Sequence, residues 1–154
     1  MAAEYSANAV QTVPVGGSVI FTESPVPCNK GLVYHRDDSG IFRLANRFFR
    51  QNITQCWRRN TNYEVAFHAN IAVPEGGTLP TAPEGISLAI YIDGAEDPSS
   101  EMIFVPAAVA EFGNVGADII VTVPSICTCS SVSIRNTSTI PIEVQNANII
   151  FDLA

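Results

Sequence analysis

The sequence predicts an antiparallel β-sandwich of eight or nine strands with no long helix, and three observations carry that expectation. Residues 63–73 (YEVAFHANIAV) alternate, with Tyr63, Val65, Phe67, Ala69, Ile71 and Val73 on one face. That period of two belongs to a strand with one face buried. The closing stretch 114–154 holds three more extended runs, 117–123 (ADIIVTV), 131–136 (SVSIRN) and 146–153 (NANIIFDL). Ten Gly and ten Pro are spread along the chain, the punctuation of a fold made of many short strands and turns.

Taken in order, residues 1–12 are small and polar and are expected to be an N-terminal arm, ordered or frayed, ahead of a single domain over 13–154. A turn at 13–17 (VPVGG) precedes a strand at 18–23 (SVIFTE), which Ser24-Pro25-Val26-Pro27 closes. Residues 31–36 (GLVYHR) and 41–45 (IFRLA) flank Asp37-Asp38-Ser39-Gly40, a tight-turn sequence, and so form a hairpin. The stretch 46–62 (NRFFRQNITQCWRRNTN) fits no period and reads as a long connection or an inserted short ribbon. After the central strand at 63–73 comes a loop over 74–85, then a strand at 86–93 (ISLAIYID). Residues 102–112 (MIFVPAAVAEF) read as an edge strand broken at Pro106, with a helical turn at 107–111 as the competing reading. Pro124 and residues 137–141 (TSTIP) separate the closing runs. A chain that finishes on Ile149, Ile150, Phe151 and Leu153 has to place that strand inside a sheet, because an exposed apolar edge pairs with other chains.

At 154 residues and 16.5 kDa the chain can bury a core as one domain. Charged residues are only 15% against 47% hydrophobic, a surface suited to meeting other protein. The net charge of −7 is unevenly distributed. Seven of the eight basic residues lie between Lys30 and Arg59, and eleven of the fifteen acids follow Asn60. A basic band of this kind is expected to dock on an acidic surface. The opening MAAEYSANAVQTV has no basic region followed by an apolar core, and no run approaches the roughly 18 apolar residues of a membrane span. The expectation is a protein made in the cytoplasm, with reduced thiols at Cys28, Cys56, Cys127 and Cys129 and unused sequons at Asn52 and Asn136.

No catalytic constellation is visible. Neither His35 nor His68 lies near a nucleophile motif, and Glu64 and Glu84 form no evident carboxylate pair. Phosphate-binding and dinucleotide-binding glycine patterns are absent. Cys127-Thr128-Cys129 has a spacing of two, which does not match the paired knuckles of structural zinc sites. No enzyme activity, cofactor or metal is expected. The one constellation that stands out is Arg47, Phe48, Phe49, Arg50, Trp57, Arg58 and Arg59, which interleaves arginines with aromatics. Base stacking with phosphate contact is one reading of such a cluster, but the acidic whole argues against a nucleic-acid partner. Arg and Trp are also the residue types enriched at protein–protein hot spots, and a protein interface is the expectation.

The early pair SVIFTE and GLVYHRDDSGIFRLA, the central YEVAFHANIAV, ISLAIYIDG with its polar turn, and the closing ADIIVTVP, SVSIRNTS and NANIIFDLA resemble, in order and spacing, the tumour-necrosis-factor-like jelly roll. The likeness covers about residues 8–154 and is closest to the phage and spore-surface versions of that fold. The chain also resembles small capsid-associated proteins of bacteriophages of gut bacteria. These resemblances imply a homotrimer packed about a threefold axis through apolar and aromatic faces. They imply a virion decoration, or cement, protein that meets the major capsid protein or another virion protein, with no part for nucleic acid or membrane. Residues 46–60 depart from the pattern. The alternative is a receptor- or carbohydrate-binding head domain of a fibre or spore-surface protein. Loops 74–85 and 94–101 contain no aromatic residue for a sugar to stack on, which favours the structural role.

Overall fold

A computed structural model describes residues 1–28, 30–48 and 59–154. Two antiparallel sheets face each other across one core. The first runs, in spatial order, β10 (Gly113–Val123), β6 (Thr61–Ala72), β12 (Ile142–Leu153), β1 (Ala2–Ala7) and β3 (Glu23–Val26), with β2 (Gln11–Val13) also paired to β12. The second runs β4 (Val33–His35), β5 (Phe42–Ala45), β11 (Cys129–Asn136), β7 (Ile86–Ile92) and β8 (Ala95–Glu96), with β9 (Met102–Phe104) also paired to β7. That makes twelve strand segments among the described residues, several of them only two to four residues long, and one 3-10 turn at Pro98–Ser100.

The alternation in the sequence is the alternation in space. Tyr63, Val65, Phe67, Ala69 and Ile71 are all buried, and β6 lies between β10 and β12 as the central-strand reading expects. Strand β12 is internal too, paired to β6 on one side and to β1 and β2 on the other. The expected hairpin at 31–45 is the β4–β5 pair, in the register Tyr34↔Arg43. Residues 107–111 form no helix, and β9 ends two residues before Pro106, whose ring could not continue the ladder.

Three expectations are corrected. Residues 1–12 are not a separate arm: β1 pairs with β12 over six positions, Ala2↔Asp152 to Ala7↔Ala147, and places Ala3 and Tyr5 in the core. Residues 18–23 are not a continuous strand but extended chain held by isolated bridges, Ser18↔Arg135 and Phe21↔Ser39. The strand proper is β3, over the Ser24-Pro25-Val26 segment read as its closing turn. It tolerates Pro25 because it is an edge strand and needs ladder hydrogen bonds on one side only. Finally, β12 begins at Ile142, earlier than expected, and absorbs an irregularity between Gln145 and Asn148, where Asn146 has φ 52. Asn is among the few non-glycine residues that enter that region readily, and the irregularity masks the alternation in the sequence.

The core is aromatic at its centre. The Phe42 ring stacks on His35 at 4.4 Å between centroids and lies 4.9 Å from Phe151, 5.0 Å from Tyr5 and 5.2 Å from Phe21. These rings come from both sheets, so they fix the distance between the layers. Tyr63 is fully buried and its hydroxyl donates to the Ala45 carbonyl, with the Leu32 carbonyl at 3.4 Å. Burial pushes the Tyr63 phenol pKa well above its ordinary value of 10.0, and the neighbouring Cys28 and Cys129 add to the shift. A phenol that resists ionisation only when folded stabilises the fold below pH 10.0, and that contribution falls as pH rises beyond it, because the unfolded chain releases the proton first. Tyr63→Phe is expected to cost about 1–2 kcal/mol at neutral pH. It should also flatten the loss of stability above pH 10.0. Urea unfolding from neutral to alkaline pH checks this, and parallel curves for the two proteins would refute it.

Candidate functional site

The basic-aromatic constellation starts at the end of β5. Asn46 is fully buried, and its side-chain amide donates to the Arg59 carbonyl and, at 3.1 Å, to the Val123 carbonyl. Its side-chain oxygen accepts from the Phe48 amide at 3.1 Å, while the Arg47 amide donates to Thr61 Oγ1 at 3.0 Å. One side chain therefore ties together the end of β5, the residue that re-enters β6 and the end of β10. Sequence reasoning passed over Asn46, because an Asn before an unclassifiable stretch looks like any loop residue.

From this base three of the seven expected residues converge. The Arg59 guanidinium carbon lies 3.9 Å and that of Arg47 4.7 Å from the Phe48 ring centre. Each such stack is worth about 0.5–1 kcal/mol at an exposed site. Two guanidiniums on one ring repel each other, and no carboxylate pairs with either among the described residues. The remaining four, Phe49, Arg50, Trp57 and Arg58, lie outside the described residues, as do Cys56 and the sequon at Asn52.

A second basic cluster was not singled out by the sequence. On the outer face of the β4–β5 pair, Tyr34, Arg36, Ser39, Ile41 and Arg43 line one open hollow of about 450 Å³. Tyr34 is 63% exposed and Ile41 52% exposed. Neither the Arg36 nor the Arg43 side chain has a hydrogen-bond or ion-pair partner among the described residues. Asp37 and Asp38 lie in the turn of the same hairpin and Asp93 lines a neighbouring hollow with Arg43, while several further acids lie on the outer face of the first sheet. There the register sets Glu64 between Ile120 and Asp152, and Ala66 between Asp118 and Ile150, with Glu4 beyond Ile150. Asn148 donates to Glu4 at 2.6 Å, and the N-terminal ammonium lies 3.9 Å from Asp152. The uneven charge of the sequence thus appears in space as a run of acids on the outer face of the first sheet. The aromatic face implied by the trimer resemblance is not on this sheet: its outward side chains are acidic, polar and aliphatic.

The histidines and cysteines are scattered. His35 is packed among Tyr5, Phe21 and Phe42 with Nε2 3.0 Å from the Ser39 carbonyl, whereas His68 is exposed on the first sheet. Among the described residues no group of three or more His, Cys, Asp or Glu is placed to hold a metal ion. Cys28 and Cys129 are free thiols, but Cys127 is disulfide-bonded, which corrects the expectation of reduced thiols throughout. The adjacent Cys127 and Cys129 are therefore not equivalent, and their spacing could not reveal it. Asn136 is 1% exposed, and its amide nitrogen donates to the carbonyls of Val13, Pro14 and Ile140, so no glycan can be attached to it in the folded chain.

No protein-family model and no curated protein matches the chain. Among solved structures, the structure of Eiger TNF from S. frugiperda matches it with a TM-score of 0.65 at 9% sequence identity, covering 100% of this chain and 92% of that one. At that identity the likeness concerns the fold alone: the two-sheet antiparallel sandwich described above is a tumour-necrosis-factor-like jelly roll.

Proposed function

We propose that the chain is a non-enzymatic structural protein of a bacteriophage virion, a homotrimer that decorates and braces the capsid. The observation that supports the homotrimer in this reading is the placement of exposed apolar side chains on two opposite sides of the sandwich. Val10 and Ile20 share a shallow depression beside β2, on the side that ends in β3 and β4, and Val26 lies in β3 itself. Ile103, Val105 and Val109 lie along and just beyond β9, on the side of β10. Two different patches on opposite sides make a head-to-tail contact, and a head-to-tail contact that closes gives a ring. Apolar side chains left on a charge-poor surface mark such contacts. The tumour-necrosis-factor-like fold supports a ring of three.

In this reading Arg47, Phe48 and Arg59 dock on an acidic patch of the major capsid protein or another virion protein. The contact is modest per chain and multiplied by the number of copies engaged at once. The virion assignment rests on the resemblance in strand order and spacing. Light scattering on the purified chain at micromolar concentration is expected to return three times the 16.5 kDa chain mass. Ile103→Asp with Val105→Asp is expected to return the chain mass alone while leaving the circular dichroism spectrum unchanged. A parent protein that is monomeric under those conditions refutes the trimer.

A further inference from the structure

We propose that the hollow on the outer face of β4 and β5 is a binding site for an acidic saccharide unit, a sugar ring carrying a carboxylate or a sulfate. The site is built by the hairpin register. Tyr34 and Arg43 are cross-strand partners, which places their Cβ atoms about 5 Å apart, and Arg36 follows Tyr34 by two residues and lines the same hollow. Beneath them Val33, Phe42 and Leu44 are buried, so the hairpin is pinned to the core and its outward side chains stand on a fixed base.

Three features select the ligand. The flat, largely exposed ring of Tyr34, with Ile41 beside it, offers an apolar platform of the size of one ring and not a groove. Two guanidiniums without protein partners present paired N–H donors, the geometry that recognises carboxylate and sulfate two-pronged. The volume of about 450 Å³ is that of a small-molecule site. An extended peptide is less well served, because β4 offers only three residues of edge ladder. A nucleic acid would have to lay a run of phosphates along a chain with net charge −7. The site shares no lining residue with the Arg47–Phe48–Arg59 cluster or with the depression around Val10 and Ile20, and its outward face on the β4–β5 hairpin does not require the trimer.

The test is calorimetric titration of the full chain with a sulfated, uronate-containing disaccharide derived from heparin. Maltose, inorganic sulfate and a glutamate tripeptide serve as comparisons. A monovalent probe on one ring platform and two arginines is expected to bind with a dissociation constant of about a millimolar, more weakly as salt rises. Arg36→Gln with Arg43→Gln should weaken it at least tenfold and remove most of the salt dependence. Tyr34→Ala should weaken it by a similar factor while keeping that dependence. All three positions are exposed, so the variants are expected to fold, and unchanged urea midpoints will verify it. The proposal is overturned by no binding of the disaccharide at about ten times the expected constant. It is overturned equally if maltose, sulfate or the glutamate tripeptide binds as tightly as the disaccharide, since the site would then read only the ring or only the charge.

Discussion

Phe42→Ala is expected to cost about 3–5 kcal/mol of folding stability, among the largest effects of any single substitution in this chain. Phe42 is fully buried and is the ring that Tyr5, Phe21, His35 and Phe151 all touch. Truncation removes the transfer free energy of the ring and leaves a cavity that its neighbours cannot fill. Tyr5 and Phe151 are held by the β1–β12 ladder, and His35 by the hairpin that contains Phe42 itself. A domain of this size can lose only a few such residues before it unfolds, since total stability is about 5–15 kcal/mol. The melting temperature should fall by about 10 °C or more. Ile103→Ala, at a residue 54% exposed, should stay within about 0.5 kcal/mol in the monomer. Urea unfolding of the two variants beside the parent decides the matter. A loss below about 1 kcal/mol for Phe42→Ala would mean that the aromatic cluster does not hold the layers together.

The same cluster shows what the sequence could and could not disclose. Strand β6 was legible because it is covered by the second sheet on one face and open on the other, so its side chains had to alternate. Strand β12 was legible as internal because its apolar end could not be left unpaired. Phe21 was visible as an apolar residue in an extended run, but not as one that reaches the core from chain held by single bridges. Periodicity reports which way side chains point and is silent about whether the backbone finds a ladder. Strand β1 was missed for the opposite reason: its ladder is complete, but Ala2, Ala3, Ser6 and Ala7 carry too little side chain to give a hydrophobic signal.

The candidate sites divide in the same way. Arginines and aromatics close together in sequence drew attention to 47–59, and three of those residues do converge. Asn46 gathers them by donating to the Arg59 carbonyl and accepting from the Phe48 amide, and is itself anchored on the Val123 carbonyl 77 positions away, which no local pattern encodes. Tyr34 and Arg43 meet only through cross-strand register, so each looked like an ordinary outward residue of its own strand. The disulfide at Cys127 is likewise a fact of three-dimensional placement, while the expected cytoplasmic setting favoured free thiols.

Reversing the charge on the Phe48 platform is expected to have the largest effect on assembly. Arg47 and Arg59 flank one ring, are exposed and have no carboxylate partner among the described residues, so in the proposed interface they are free to pair with acids of the partner. Changing both to Glu leaves the isolated fold nearly untouched, because exposed charges and exposed stacks each contribute no more than about 1 kcal/mol. Across a contact with an acidic partner the same change sets like charges face to face at a cost of several kcal/mol, and binding should weaken at least a hundredfold at low salt. High salt should recover part of the loss, since screening weakens the repulsion introduced by the variant as well as the attraction in the parent. Phe48→Ala should weaken binding by a smaller factor that salt hardly alters, because the term removed is apolar burial. The measurement is co-sedimentation of each variant with the particle at low and at high ionic strength. A double variant that binds like the parent at low salt removes the cluster from the interface and leaves it a solvated corner of the fold.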